Sequence, residues 1–246
     1  MKTSSLAQVC GCAFGAALLA LAGCMHPPAH DSARTGPFHA AVNHAAEPHL
    51  PANLRRVVLL PLAGGSAADA ESAAALSAVF AAELQKQNRF EVVTLTRDDM
   101  LRRFRRPEVL STAALPHDLV AKLRRDLAVD GVMFVDLTVY KPYRPMMIGV
   151  RAKLATAGED VRLLWAFDNV FSAADPTVAN SARHHFINSD RGGVPADLTP
   201  GVMHSPSKFA EFVAAQAFST LPPVYVPAPL AATTGAQERV AVANTR

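Results

Sequence analysis

Between residues 131 and 171 lie three runs rich in Val, Leu, Phe and Tyr, 131–140, 146–156 and 161–171, of which the second alternates cleanly between apolar and polar positions. Lys141-Pro142-Tyr143-Arg144-Pro145 parts the first two runs, and Ala157-Gly158-Glu159-Asp160 parts the last two. Short β-rich runs broken by such turns predict a three-stranded antiparallel meander. In the first run Met133, Val135, Leu137 and Val139 share one face, with Val132, Phe134, Asp136, Thr138 and Tyr140 on the other. In the second, Ile148, Val150, Ala152 and Leu154 oppose Gly149, Arg151 and Lys153, the pattern of a half-buried strand. The third puts Trp165, Phe167 and Phe171 on one side, and the chain's single tryptophan is expected in the core.

Upstream, Arg55-Arg56-Val57-Val58-Leu59-Leu60-Pro61-Leu62 reads as a buried strand, and Phe90-Glu91-Val92-Val93-Thr94-Leu95-Thr96 as a second. Residues 68–88 between them are helical, with Leu76, Val79, Phe80 and Leu84 on one face. Arg97-Asp98-Asp99 opens a short helix whose acidic start suits the helix dipole, and 116–128 forms another. Downstream, Asp175 as cap and Pro176 in the first turn predict a helix to about residue 188. After a loop over 190–207, Phe209, Phe212, Val213 and Phe218 mark a last helix over 206–221. The fold class is therefore α/β (α+β). A single β-α-β-α-β-β-β domain over 54–221 carries a mixed sheet with an antiparallel meander and helices packed on it. From Pro222 the composition is Pro, Ala, Thr and Val without period, so 222–246 reads as a disordered tail.

The first 23 residues change the picture. Met1-Lys2 is a positive start, residues 12–22 are small and apolar, and Leu21-Ala22-Gly23-Cys24 follows. That run is too short to span a membrane as a mature helix and ends as a cleaved signal peptide does. Leu-Ala-Gly-Cys resembles the bacterial lipobox, which implies cleavage between Gly23 and Cys24 and acylation of Cys24. Met25 stands where an aspartate would resemble the inner-membrane retention signal. The expectation is an outer-membrane lipoprotein, anchored to the membrane by lipid, with its domain facing the periplasm. Residues 24–53, rich in Pro, Ala and His, read as a flexible tether. After cleavage Cys24 is the one cysteine left, so an intramolecular disulfide is excluded.

Candidate chemistry is sparse. Gly64-Gly65-Ser66 follows a strand and precedes a helix, but neither GxGxxG nor GxxxxGK[ST] is present, so no nucleotide cofactor is expected. His26, His30, His39, His44 and His49 are irregularly spaced, without accompanying cysteines or carboxylate pattern, and read as solvated rather than metal-binding. His184 and His185 point about 100° apart on a helix and cannot chelate one metal together. Asp136 has no second carboxylate near it in sequence, so an acid–base dyad is unsupported. No catalytic, cofactor or metal residues are assigned, and the chain is read as non-enzymatic.

The dense basic run is Arg102-Arg103-Phe104-Arg105-Arg106, joined by Lys122, Arg124 and Arg125. In a secreted protein it does not face nucleic acid; anionic lipid, an acidic protein patch or plain solvent are the alternatives. Tyr143 beside Arg144 has the composition of an interface anchor, or is a turn tip with no partner.

Four stretches carry a resemblance to a known group. They are Val57-Val58-Leu59-Leu60-Pro61-Leu62; residues 83–97, a helix running into a strand; residues 127–136; and Lys153-Leu154-Ala155-Thr156-Ala157 with Leu164-Trp165-Ala166. Together they are similar to the periplasmic superfamily of the TolB N-terminal domain, the curli-secretion lipoproteins and the lipoprotein activators of penicillin-binding proteins. The resemblance implies a non-enzymatic domain that docks an envelope protein or assembles as a homo-oligomer. An oligomeric secretion channel is the alternative, although no run suited to a membrane-spanning hairpin lies beyond the core strands. An envelope enzyme ranks last, with no Gly-x-Ser-x-Gly in the chain.

Overall fold

The computed structural model describes residues 31–189 and 201–225. Six strands form one sheet: β1 (Ala45–Ala46), β2 (Arg56–Leu59), β3 (Glu91–Thr94), β4 (Gly131–Lys141), β5 (Met147–Thr156) and β6 (Leu163–Ser172). Their order is β1-β6-β5-β4-β2-β3. β2 lies parallel to β3 and β4, while β4, β5, β6 and β1 run antiparallel in turn, so the sheet is mixed and contains the expected meander. The helices among the described residues are α1 (Ser32–Thr35), α2 (Ala70–Lys86), α3 (Arg97–Phe104), α4 (Leu119–Leu127), α5 (Pro176–Ser189) and α6 (Pro206–Ser219).

Local chemistry sets the helix starts. Asp69 accepts from the amide of Ser72, Thr96 and Asp99 form a reciprocal capping box, and Ser205 accepts from Lys208 N ahead of Pro206. Asp175 Oδ1 takes the amide of Thr177 at 2.8 Å, as its capping position predicts.

Each face of the sheet has its own core. On one, Leu76, Phe80 and Leu84 of α2, Phe209, Phe212 and Phe218 of α6, and Val178 of α5 pack on Met133, Val135, Ile148, Val150, Trp165, Phe167 and Phe171. On the other, Met100 of α3 and Leu119 and Leu123 of α4 cover Val58, Leu60, Val132 and Phe134. Burying one such side chain contributes about 1.5–3 kcal/mol.

Alternation in β4 breaks at a bulge. Leu137 pairs with Val150 and Val139 with Gly149, so Thr138 is the extra residue. The slip turns Tyr140 onto the face of Met133 and Leu137, opposite to the side predicted by strict alternation.

The expected tether is corrected for its described part. Residues 31–50 form a strap that lies against the domain, with Ala33 and Leu50 fully buried. His44 N donates to Ala166 O at 2.8 Å and Glu47 N to Leu164 O at 3.0 Å, so β1 covers the backbone edge of β6. Composition missed this because the strap needs no core of its own; it borrows a finished surface and an open strand edge. The tail is corrected likewise at 222–225. Leu50 N donates to Pro223 O and Tyr225 N to Leu50 O, each at 2.8 Å, which ties the end of the domain to the strap. Residues 226–246, 190–200 and the leader lie outside the described residues.

Candidate interaction surfaces

The carboxyl ends of parallel strands are where a mixed α/β sheet most often takes a ligand. Here a cleft of about 670 Å³ lies between α2 and the ends of β2 and β3, lined by Leu60, Pro61, Ala78, Ala81, Thr96 and Arg97, while the glycine turn beside it is occupied by the chain itself. The turn after β2 holds Gly65 at φ +54°, a backbone shape that suits glycine. The amides of Gly64 and Gly65 donate to the Glu108 carboxylate at 3.4 and 3.3 Å, and Arg97 pairs with the same carboxylate. The glycine turn that lacks a nucleotide motif thus has its donors engaged by an internal anion.

Next to it Asp136, on β4, is buried and accepts from Ser111 N at 3.0 Å and Ser111 Oγ at 2.7 Å. Lys153 Nζ donates to Ser111 O at 2.9 Å, closing the network. Burial holds the Asp136 carboxyl above its ordinary value of 3.8, opposed by the Ser111 donors and by the charges of Arg151 and Lys153. The native state therefore binds this proton more tightly than the unfolded chain. Its stabilising contribution is complete below the ordinary carboxyl range and is lost as pH rises through the raised value. Asp136→Asn is expected to flatten that dependence. Urea midpoints measured from about pH 4 to 7 should show wild type falling relative to the variant, and a constant difference across the range refutes the assignment.

Among the described residues no group of three His, Cys, Asp or Glu side chains is placed to hold a metal, and His26 and His30 lie outside them. His39 packs edge-on against Phe171 at 5.2 Å, and His49 against Tyr225 at 6.1 Å. His184 and His185 diverge as expected. His185 lies against Phe186 and Phe212, where burial lowers its pKa. His184 Nδ1 donates to Ala33 O at 2.9 Å, and Asn188 Nδ2 donates to its Nε2 at 2.7 Å. Its partner, invisible in the sequence, is the strap. Ser32 Oγ to Asn180, Asn180 Nδ2 to Pro37 O and His39 N to Ser181 Oγ complete that seam along α5.

Two exposed surfaces remain. At the β4–β5 turn Tyr143 is 85% exposed, while Arg144 Nε donates to Met203 O at 3.4 Å. The second surface is basic. Arg103 Nη1 of α3 reaches Asp126 Oδ2 of α4 at 3.5 Å, which brings the two basic runs of the sequence onto one face. Gly23 and Cys24, the expected cleavage and lipid-attachment residues, lie outside the described residues. No helix among the described residues is long and apolar enough to cross a membrane.

No protein-family model matches the chain, and no curated protein matches it. Some solved structures are distantly similar to it. The PelC dodecamer from Paraburkholderia phytofirmans superposes with a TM-score of 0.44 at 11% identity, over 73% of this chain and 95% of that one. The lipoprotein GNA1162 from Neisseria meningitidis gives 0.34 at 16% identity, over 48% of this chain and 79% of that one. The hypothetical protein CT253 from Chlamydia trachomatis gives 0.39 at 15% identity, over 65% and 94%. Likeness at this level carries no argument about family, activity or assembly.

Proposed function

We propose that this chain is an outer-membrane lipoprotein, anchored through Cys24, whose periplasmic domain is a non-enzymatic docking or assembly module of the cell envelope. The observation that carries the reading is the leader. A positive start, an apolar run of signal-peptide length and Leu21-Ala22-Gly23-Cys24 stand in the order that lipoprotein processing requires. Two features support the docking role. Tyr143 projects from a turn pinned by Arg144 and is the most exposed large hydrophobic side chain among the described residues. The turn amides that would grip a phosphate are engaged by Glu108.

The test is crosslinking in living cells of wild type and a Tyr143→Ala, Arg144→Ala variant, with mass analysis of adducts and of the N-terminal peptide. Acyl groups on Cys24 and a dominant partner that the variant recovers less well are expected. An unmodified N-terminus removes the anchoring reading, and equal recovery removes the turn as the contact. A ladder of homo-oligomers without a partner replaces docking by self-assembly.

A further inference from the structure

We propose that the surface formed by α3 and α4 is the docking site for an acidic face of a partner protein, presented on the side of the domain turned away from the anchoring bilayer. Its orientation rests on anchoring at Cys24; its chemistry does not.

The charge comes first. Residues 102–126 hold seven Lys and Arg against three Asp and Glu; with Arg97, Asp98 and Asp99 of α3 counted the surplus is three, equal to the +3 of the whole chain. Arg103 and Arg125 share one carboxylate, that of Asp126, at 3.5 and 3.4 Å, and Arg102 pairs with Asp99. Arg105, Arg106, Lys122 and Arg124 have no carboxylate within 4.0 Å among the described residues. Elsewhere the pattern differs: Arg56 is held by both oxygens of Glu91, and Arg151 sits 2.7 Å from Asp168. Crowded like charge costs the folded state free energy that an apposed anionic surface relieves.

The side-chain types narrow the partner. Six of the seven cations are arginines, whose planar forks match carboxylates in pairs. A groove of about 620 Å³ runs between α4 and the turn at 157–161, lined by Leu115, Val120 and Val161, by Arg124 and Arg125, and by the carboxylates of Asp118 and Glu159 at its rim. Leu115 and Val161 are exposed there, and Leu101 is exposed among the arginines of α3. Arginine beside exposed aliphatic groups is the composition of a protein interface.

Geometry disfavours the lipid alternative. The strap docks through α5, on the face that carries α2 and α6, whereas α3 and α4 cover the opposite face. Asp31 stands seven residues after Cys24, a reach of at most about 25 Å. A helix–sheet–helix sandwich is itself about 30 Å thick, from a helix diameter of roughly 10 Å on each side of the sheet. With the strap docked, laying the basic surface flat on the leaflet that holds the acyl chains would need more chain than those seven residues supply.

The probe is poly-L-glutamate, titrated against the full chain in neutral detergent, beside vesicles containing phosphatidylglycerol. The variant is Arg105→Glu, Arg106→Glu, Arg124→Glu; all three side chains are exposed, and circular dichroism checks its fold. Wild type is expected to bind polyglutamate more weakly as salt rises, with a loss of at least about tenfold in the variant. The glutamine version of the same triple is expected to fall between them, which keeps the test open should the charge reversal misfold. Equal binding by wild type and variants overturns the proposal. Vesicle binding that depends on these arginines, without polyglutamate binding, overturns it in favour of lipid. Cys24→Ser is expected to bind polyglutamate as wild type does, so failure of the anchoring reading is told apart from failure of this one.

Discussion

Trp165→Ala is expected to lower the free energy of unfolding by about 3–5 kcal/mol, the largest loss from any single side chain considered in this fold. Trp165 is fully buried, lies near Phe167 and Phe218 at centroid separations of 6.1 and 6.4 Å, and donates from Nε1 to Thr220 Oγ1 at 3.1 Å. Its removal opens a cavity between β6 and α6, where tightly packed rings leave little room for collapse. Trp165→Phe separates the contributions. It keeps most of the volume, and Thr220 Oγ1 still donates to Ala217 O at 2.7 Å, so a much smaller loss is expected. Denaturation followed by far-ultraviolet circular dichroism measures both, since each variant lacks the chain's single tryptophan. A Trp165→Ala loss below about 1 kcal/mol contradicts the packing described here.

The second large effect belongs to a residue without a side chain. Gly149 pairs with Val139 just past the bulge, and a Cβ built there overlaps Thr138 Oγ1 and comes to 3.0 Å from Val139 N. Gly149→Ala is expected to cost about 1–3 kcal/mol through overpacking. Thr138 Oγ1 is buried without a hydrogen-bond partner among the described residues, so Thr138→Ala alone should be mild. Combined, the two changes should cost less than their sum, because the first clash has been removed. Strict additivity in a double-mutant cycle would show that Thr138 is not what Gly149 accommodates.

The meander is legible because three β-rich runs are parted by two turn signals, and Trp165 lies in the core as a large apolar ring within such a run should. Alternation carries no warning of a bulge, however, so strict period 2 puts Tyr140 on the wrong side. The strap was illegible for a different cause. It is held largely by backbone groups on β6 and polar side chains of α5, and its buried apolar residues, Ala33 and Leu50, are too far apart in sequence to leave a period. Tyr143 was legible as exposed because two prolines frame its turn. The basic runs were visible as composition, but that they share a face depended on how α3 and α4 pack. The seal placed by Glu108 on the glycine turn likewise joins residues 43 and 44 positions apart.

The seam between strap and domain also decides how the molecule bears load. A pull on the N-terminus meets the hydrogen bonds at Ser32, Pro37, His39, His44 and Glu47 one after another, in a peeling geometry. The ladders joining β4, β5 and β6 are not strained until the strap has come away as far as Leu50. Freeing residues 31–49 releases roughly 60 Å of slack at an extended rise per residue. The strap is thus a mechanical fuse in series with the domain: it yields first, lengthens the leash, and leaves the sheet intact.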